Sequence, residues 1–215
     1  FLHAIFVAQL KRMQDNILNF SNEEMQVLVD KKFFELKHSS TAKMIELFGM
    51  LEVELKSVFS EAALNVEGLN SSSGKIFRGE NYKLFPYVLL DCPRMFNKQS
   101  VFAFRSMFWW GNEFTFTLHI QGNAWEYFKP KLIRNLERLT ESDIYFCVNE
   151  SPWQYHLGTD NYLLLNSQKD LELELQILSA KDFVKLTRKL SISEYKSVIQ
   201  VGKETLKLFL GLLKD

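Results

Sequence analysis

The chain has 215 residues, of which 47% are hydrophobic and 24% are charged, a composition typical of globular proteins that argues against intrinsic disorder. Lys and Arg together number 26, as do Asp and Glu, so the formal net charge is zero. Proteins that bind nucleic acids through phosphate contacts are usually basic, and this balance therefore argues against nucleic-acid binding.

Cysteine content and hydropathy predict the compartment. Cys92 and Cys147 are the only cysteines, and two thiols do not make a disulfide framework for a chain of this length. A signal peptide carries a basic segment before its apolar part, and the apolar residues 1–9 have none before them. No apolar run approaches the ~20 residues that a membrane span requires. We therefore expect a soluble, cytoplasmic protein that does not contact a membrane.

Three amphipathic helices are predicted before residue 65, because apolar residues recur every three or four positions and so share one helical face. They are Leu2, Phe6, Leu10, Met13 and Ile17 in the first helix, Met25, Leu28, Val29, Phe33 and Leu36 in the second, and Met44, Phe48, Leu51, Leu55, Val58 and Ala62 in the third. Ser21 and Glu24 predict a capping box at the start of the second helix. The polar residues 38–41 are predicted to separate the second helix from the third, and 65–74 to form a loop.

Residues 75–122 carry the strongest strand signals. Short strands are predicted at 75–78 and 85–91, and stronger ones, rich in Phe, Trp, Thr and Val, at 101–110 and 113–120. Gly111 and Asn112 suit a two-residue hairpin loop, in which residues i and j face each other when i + j is about 223.

This pairing sorts the hairpin side chains onto two unlike faces. The face predicted to be core carries Val101, Ala103, Arg105, Met107, Trp109, Phe114, Phe116, Leu118 and Ile120. The other carries Phe102, Phe104, Ser106, Phe108 and Trp110 opposite Glu113, Thr115, Thr117 and His119. An aromatic and polar mixture of this kind suits a ligand groove or a surface beneath a loop. A change of one residue in the hairpin loop would exchange the partners.

The C-terminal part alternates helices and strands. The patterns predict a helix over 123–139, with Pro130 in a first helical turn, and a strand over 143–148. An irregular stretch with a short strand follows over 150–166. A strand is predicted over 183–190, a capping box over 191–194 and a closing helix over 195–213. Residues 170–178 fit either a strand or a helix, and the cap signals at Ser167 and Asp170 favour a helix.

The order of elements predicts an α+β fold. N-terminal helices precede an antiparallel sheet built around a hairpin at 101–120, with helices packed on the sheet. No internal repeat or shift in composition divides the chain, so a single domain over 1–215 is expected.

Standard catalytic motifs are absent. The chain has no phosphate-binding loop, no GxGxxG, no zinc-spaced Cys and His set and no serine-hydrolase motif. No cofactor is identified, and no metal site is predicted.

Polar and aromatic side chains of the sheet region and of the later loop are the candidate ligand-binding residues. They are Arg78, Glu80, Tyr82, Asp91, Arg105, Trp110, His119, Trp153 and His156. Arg78, beside Gly79, either binds an anion or pairs with Glu80 or Asp91. Arg105 stands in an apolar strand, where a charge requires a partner, either Asp91 or a ligand anion.

The remaining candidates also have two interpretations each. His119 is either a general base or a hydrogen-bonded residue of the sheet. Trp110 either stacks on a planar ligand or packs at the hairpin turn. Trp153 and His156 lie in a long irregular loop, and loops of this kind often cover sites. If that loop folds over the mixed face, these two side chains join the candidate site.

The sequence words FRGENY (77–82) and MFWWGN (107–112), together with Pro86, Tyr87 and the loop around Trp153, resemble bacterial α+β proteins of unknown function. The resemblance covers about residues 75–213. It implies the α+β fold and a bacterial source, and it implies no reaction.

Two classes of function stay open. The first is a small-molecule-binding domain, enzymatic or not, that takes an anionic or aromatic ligand near the mixed face of the hairpin. The alternative is a non-catalytic protein that docks a protein partner through its aromatic face.

Overall fold

The computed structural model describes residue 7 and residues 19–64, 74–139, 142–165 and 171–215, with the backbone alone at 171–174. The α-helices are α1 (Asn22–Val29), α2 (Lys31–Ala62), α3 (Asn123–Asn135), α4 (Leu171–Ala180) and α5 (Val198–Leu212). The strands are β1 (Lys75–Tyr82), β2 (Phe85–Phe96), β3 (Ser100–Trp109), β4 (Glu113–Gly122), β5 (Ile144–Cys147), β6 (Tyr162–Leu164) and β7 (Phe183–Ser191). Short 3-10 helices follow α3 at Leu136–Leu139 and precede α5 at Ile192–Ser197.

The apolar residues of the first predicted helix, Leu2 to Ile17, lie outside the described residues, as do 65–73 of the predicted loop and the cap signals at Ser167 and Asp170. By compactness the chain divides into two units, Phe1–Ala42 and Lys43–Asp215. Such a division does not test whether the chain folds as one domain, so the single domain stays a prediction. No helix within the described ranges is both long enough and apolar enough to cross a membrane.

The helical start of the described chain confirms one prediction and corrects another. The Ser21 N–H donates to Glu24 Oε2 at 2.6 Å and the Glu24 N–H donates to Ser21 Oγ at 3.1 Å, which is the predicted capping box. The predicted break at 38–41 is wrong, because α2 runs through it. The hydroxyls of Ser39 and Thr41 donate to carbonyls of the preceding turn, so the helix accommodates them.

The break between the two helices lies instead at Asp30. Its Oδ1 accepts a hydrogen bond from the Phe33 N–H at 3.0 Å, in the manner of an N-cap, and α2 begins at the next residue. The sequence signal for this start is a single Asp within an apolar stripe. Helical periodicity alone does not detect such a signal.

The described strands form one seven-stranded antiparallel sheet with the order β1-β2-β3-β4-β7-β5-β6. The α+β fold, the hairpin at its centre and the helix at 171–180 are therefore confirmed. Strand β7 comes late in the chain but lies between β4 and β5, so side chains distant in sequence become neighbours.

The predicted register of the central hairpin is wrong by one residue. Phe108 pairs with Phe114, and Trp110, Gly111 and Asn112 form a three-residue connection in which Gly111 has φ +68°. Trp110 leaves the β3–β4 ladder, and its N–H donates to Pro86 O of β2 at 3.1 Å.

This shift re-sorts the hairpin side chains. The core face carries Phe102, Phe104, Ser106 and Phe108 with Phe114, Phe116, Leu118 and Ile120. The opposite face carries Ala103, Arg105 and Met107 with Thr115, Thr117 and His119. Each strand keeps its alternation, but the partners across the hairpin are exchanged, as a one-residue slip requires.

The main core lies between this core face and three helices. Phe48 of α2 meets Phe114 with ring centroids 6.4 Å apart, Phe128 of α3 meets Phe102 at 5.8 Å, and Phe209 of α5 meets Phe104 at 6.4 Å. The six rings are buried. Burial of aromatic rings at this density is the main source of stabilisation expected for the unit Lys43–Asp215.

The prediction for Pro130 is wrong. Helix α3 begins at Asn123, directly after β4, so Pro130 falls in the helix interior. The Asn123 N–H donates to Gln99 O at 3.0 Å, which fixes this early start. Leu132, Leu136 and Leu139 are buried, as the pattern predicted.

Gly202 in α5 permits close packing of this helix on the sheet. A Cβ at this position would lie 2.8 Å from Leu51 Cδ1 and 3.1 Å from Phe116 Cε1, whereas a Cβ at Gly211 of the same helix would meet nothing within 4 Å. We expect Gly202→Ala to lower the free energy of unfolding by about 1–3 kcal/mol through overpacking. Gly211→Ala should raise it by up to about 1 kcal/mol, because Ala favours helix. Urea unfolding of both variants measures the difference, and equal effects would contradict this account of α5 packing.

Candidate functional site

The face of the sheet opposite the core carries polar and charged side chains at its centre, and we call it the loop face. Arg105, Thr117 and Thr187 lie in one row across β3, β4 and β7, and His119 pairs with Lys185 in the next row. These side chains share a face because residues two apart in a strand point the same way. Charged groups in the middle of a sheet are costly unless another layer pairs or solvates them.

Residues 149–161, the covering loop, form that layer. The centroid of the Tyr155 ring lies 4.6 Å from Cζ of Arg105 and 4.2 Å from Nζ of Lys185. Nζ of Lys185 also donates a hydrogen bond to Gln154 O. The irregular stretch therefore lies over the face that contains Arg105.

Arg105 pairs with Asp91, the first of its two predicted alternatives. Nε and Nη2 donate to the two carboxylate oxygens at 2.7 and 2.8 Å, and the side chains are 12% and 3% exposed. A two-pronged pair of this kind fixes the plane of the guanidinium. Nη1 remains outside the pair.

Lys185 is fully buried at the middle of β7. Besides Tyr155, its Nζ lies 4.9 Å from the ring centroid of Tyr162, and no carboxylate of the described chain lies within ion-pairing distance of it. Burial, with repulsion from Arg105 and Lys181, lowers the pKa of Lys185 from 10.5 to about 7. At neutral pH this amine therefore exists in both protonation states.

His119 is 1% exposed, and neither ring nitrogen makes a hydrogen bond within the described residues. Its ring packs against Trp153 at 5.4 Å between centroids. Burial and repulsion from Lys185 and Arg105 lower its pKa from 6.5 to about 3. The Gln121 side chain acts in the opposite direction and favours a higher pKa of His119, but its amide oxygen does not reach hydrogen-bond geometry. His119 is thus a neutral imidazole, and its interpretation as a hydrogen-bonded sheet residue is wrong.

Tyr82 holds the covering loop from the end of β1. Its hydroxyl oxygen accepts hydrogen bonds from the backbone N–H groups of Tyr155 at 2.6 Å and His156 at 3.1 Å. Nδ1 of His156 lies 3.2 Å from the same hydroxyl, and Nε2 lies 3.0 Å from Asp160 Oδ2. The hydrogen bond to His156 lowers the pKa of the exposed Asp160 carboxyl. Tyr82 and His156 therefore act as anchors of the loop.

The structure brings Tyr82, Asp91, Arg105, His119, Trp153 and His156 together at the loop face or in its cover. It does not bring Arg78 or Trp110 there. Arg78 is exposed, whereas its neighbour Phe77 packs on the buried cluster of Leu89, Met107, Trp109 and Tyr155, so Arg78 points to the other side of β1. Trp110 packs against the main core, 5.4 Å from Phe108. Glu80 is exposed in β1.

Sequence reasoning missed Lys185 and Tyr155. Lys185 carried a signal, since it stands between Val184 and Leu186 in an apolar strand, the same pattern that singled out Arg105. Tyr155 carried none, because its position depends on the path of a loop that has no repeating pattern.

No group of three or more His, Cys, Asp and Glu side chains in the described residues is placed to hold a metal ion. The chain matches no protein-family model, no curated protein and no solved structure. The resemblance to bacterial α+β proteins of unknown function therefore stays a prediction, and the function must be argued from the loop face itself.

The buried ion pair gives a test of the loop face. Asp91→Asn should lower the free energy of unfolding by about 3 kcal/mol or more, because it leaves the guanidinium of Arg105 buried without its counter-charge. The control is Asp215→Asn, which removes the exposed carboxylate that pairs with Lys131 and should leave the stability unchanged. Urea unfolding at pH 7 measures both, and an equally small effect of the two substitutions would contradict the structural importance of the pair.

His119 should make stability depend on pH in acid. Its pKa is lowered to about 3 in the folded protein, so between pH 6.5 and 3 the unfolded chain binds the proton more readily. The free energy of unfolding should therefore fall with decreasing pH, by up to about 1.4 kcal/mol per pH unit from this group. His119→Leu should reduce that slope, and His38→Leu, at an exposed position of α2, should preserve it. Unfolding curves from pH 7 to 4 decide this, and an unchanged slope in His119→Leu would refute it.

Proposed function

We propose that the protein binds a small anionic ligand on the loop face, beneath the covering loop, and that Lys185 and Arg105 attract it. The observation that carries the proposal is an imbalance of buried charge. Two cations flank the Tyr155 ring, and within the described residues only Asp91 pairs with either of them. A ligand carboxylate or phosphate would supply the missing counter-charge.

Energetics support an anion at this position. A buried ammonium without a carboxylate is costly, and the lowered pKa of Lys185 expresses that cost. An anion near Nζ would favour the charged form and offset the cost of burial. The Nη1 group of Arg105, which Asp91 leaves free, is a second donor for the same anion.

Aromatic side chains around these cations favour a ligand that also has a flat apolar part. Tyr155 and Tyr162 lie against Nζ of Lys185, and Trp153 lies against His119. Ligand sites typically combine such apolar walls with a few polar groups that fix orientation. We therefore favour an aromatic acid over a small inorganic anion.

Movement of the covering loop would admit the ligand. Residues 149–161 contain no helix or strand, and Trp153 is 52% exposed. Side-chain contacts from Tyr82 and Lys185 hold the middle of the loop. Loop segments outside helices and strands can open at a lower free-energy cost than global unfolding.

The proposed source and compartment are bacterial and cytoplasmic. The reduced, buried thiols of Cys92 and Cys147 support the cytoplasm, and the resemblance of FRGENY and MFWWGN supports a bacterial source. The zero net charge supports the expectation that nucleic acid is not a ligand.

A protein–protein interaction function is the second candidate. Helix α1 and the start of α2 expose several large apolar side chains: Met25, Val27, Leu28, Val29, Phe33, Phe34 and Leu36. Exposed apolar patches often mark binding surfaces. The sequence predicts such a function on the aromatic face of the hairpin, which is a different surface.

Thermal unfolding with matched ligands tests the proposed function. Benzoate should raise the melting temperature of the full chain, and benzyl alcohol, its uncharged analogue, should not. Saturation at about 100 times the dissociation constant corresponds to about 2.7 kcal/mol of stabilisation. Lys185→Met should lose the shift. Lys98→Met should keep it, because it removes the same charge from an exposed residue in the connection between β2 and β3.

Phosphate and phenyl phosphate complete the panel. A shift from either that also depends on Lys185 supports the site and identifies the preferred anion. No shift from any of these anions, or the same shift in Lys185→Met, would exclude anion binding on the loop face.

A further inference from the structure

We propose that Lys185 is a nucleophilic amine that forms a reversible imine with the carbonyl group of a small oxo acid bound on the loop face. This inference rests on the proposed function, because the acid group of the ligand is what the neighbouring cation would hold. It adds a chemical step to the binding site and names the substrate class, aldehyde and ketone acids.

The surroundings of Nζ are those of an amine rather than of a structural ammonium ion. Its hydrogen-bond acceptor is the neutral carbonyl of Gln154, and the rings of Tyr155 and Tyr162 lie against it. Lys203, in contrast, pairs with the carboxylate of Glu54 at the surface of the helical layer. A carboxylate keeps a lysine charged, and the described surroundings of Lys185 provide none.

The protonation state agrees with this geometry. Because burial lowers the pKa of Lys185 to about 7, the free amine is populated at neutral pH. Lysines that form imines are activated in the same way, by an apolar pocket or by a neighbouring cation. Lys185 has both, since Arg105 and Lys181 also disfavour its charge.

Two neighbours are placed to assist the reaction. Arg105 and Lys185 both contact the Tyr155 ring, and the free Nη1 of Arg105 can bind the carboxylate of the oxo acid. His119 pairs with Lys185 across β4 and β7 and has an unpartnered neutral ring. Its unprotonated nitrogen can receive a proton and its N–H can return one. We assign it the transfer of protons between nitrogen and oxygen.

The step balances without an oxidant or a reductant. The lone pair of Nζ forms a bond to the carbonyl carbon, and the π electrons of the carbonyl move to its oxygen, which gains the proton that the nitrogen loses. In the resulting carbinolamine the second nitrogen proton is transferred to the hydroxyl group, the C–O bond breaks so that this group leaves as water, and the nitrogen lone pair forms the C=N bond. The products are an imine and one water molecule, and hydrolysis reverses both steps.

Formation of the imine has a structural consequence. Nζ can no longer donate to Gln154 O in the same way, so the covering loop loses one of its contacts with the sheet. The hydrogen bonds of Tyr155 and His156 to Tyr82 remain, as do the contacts of Lys83 with His156 and of Lys181 with Asn149. The loop is expected to shift around its Tyr82 anchor rather than detach.

Reductive trapping tests the inference. The full chain is incubated at pH 7 with glyoxylate and sodium cyanoborohydride, which converts an imine into a stable carboxymethyl amine, and the modified lysines are located by peptide mass mapping. Lys185 should be labelled roughly tenfold or more faster than the exposed Lys98, because ordinary lysines are almost fully protonated at this pH. Benzoate should slow labelling of Lys185 and leave Lys98 unaffected.

Two variants keep the result interpretable. Lys185→Arg retains a cation and a donor for Gln154 O but cannot form an imine, so it should fold, as circular dichroism would show, and lack the fast label. Arg105→Lys should slow labelling of Lys185 by glyoxylate more than labelling by acetaldehyde, which has no acid group.

The outcomes separate the two proposals. Anion-dependent thermal shifts without preferential labelling of Lys185 would overturn the imine and leave the binding site intact. Fast labelling of Lys185 by glyoxylate and acetaldehyde alike, without any thermal shift from anions, would support Lys185 as a nucleophile and exclude oxo acids as its substrate class. Labelling of Lys185 no faster than Lys98 in a folded protein would overturn the inference.

Discussion

The three-residue connection between β3 and β4 determines which side chains enter the core and which form the loop face. With Trp110 outside the ladder and Gly111 at positive φ, Phe108 pairs with Phe114, and the rings of both strands point to the helices. A slip of one residue would place the threonines and His119 in the core and phenylalanines under the covering loop. The burial of Phe104 and Phe116 against α5 and of Phe102 against α3 therefore opposes a slip of one residue, which would move rings out of the core.

The same register concentrates charge on the loop face. It places Arg105 in a row with Thr117 and Thr187, and His119 beside Lys185, so that the Asp91 pair and the uncompensated amine lie beneath a single tyrosine ring. Stability alone gives no reason for a buried lysine without a carboxylate, since an apolar residue there would cost less. A local departure from good packing rules is typical of functional sites, and this departure is why both proposals begin from Lys185.

Much of the fold could be predicted because it is encoded locally. The helical spacing from Phe48 to Val58, the capping box at Ser21 and the alternation of the strands depend on neighbours in sequence, and the structure confirms them. The prediction of a helix break at 38–41 was wrong because Ser39 and Thr41 can form hydrogen bonds within a helix as well as end one. The predicted hairpin register was wrong because two-residue and three-residue loops share the same Gly signal. The cost of a buried charge predicted a partner for Arg105, with Asp91 as one of two alternatives, whereas Tyr155 reaches the site through a loop that has no repeating pattern.

The anchoring of the covering loop by Tyr82 couples it to the edge of the sheet. Tyr82 is the last residue of β1, and among the described strands β1 pairs with β2 alone. Its hydroxyl supports two consecutive amides of the loop, so fraying of β1 would withdraw that support at the same moment. The stability of β1 therefore contributes to the free energy that keeps the loop face closed. A partner that paired with the free edge of β1 would make the buried amine harder to reach without touching it.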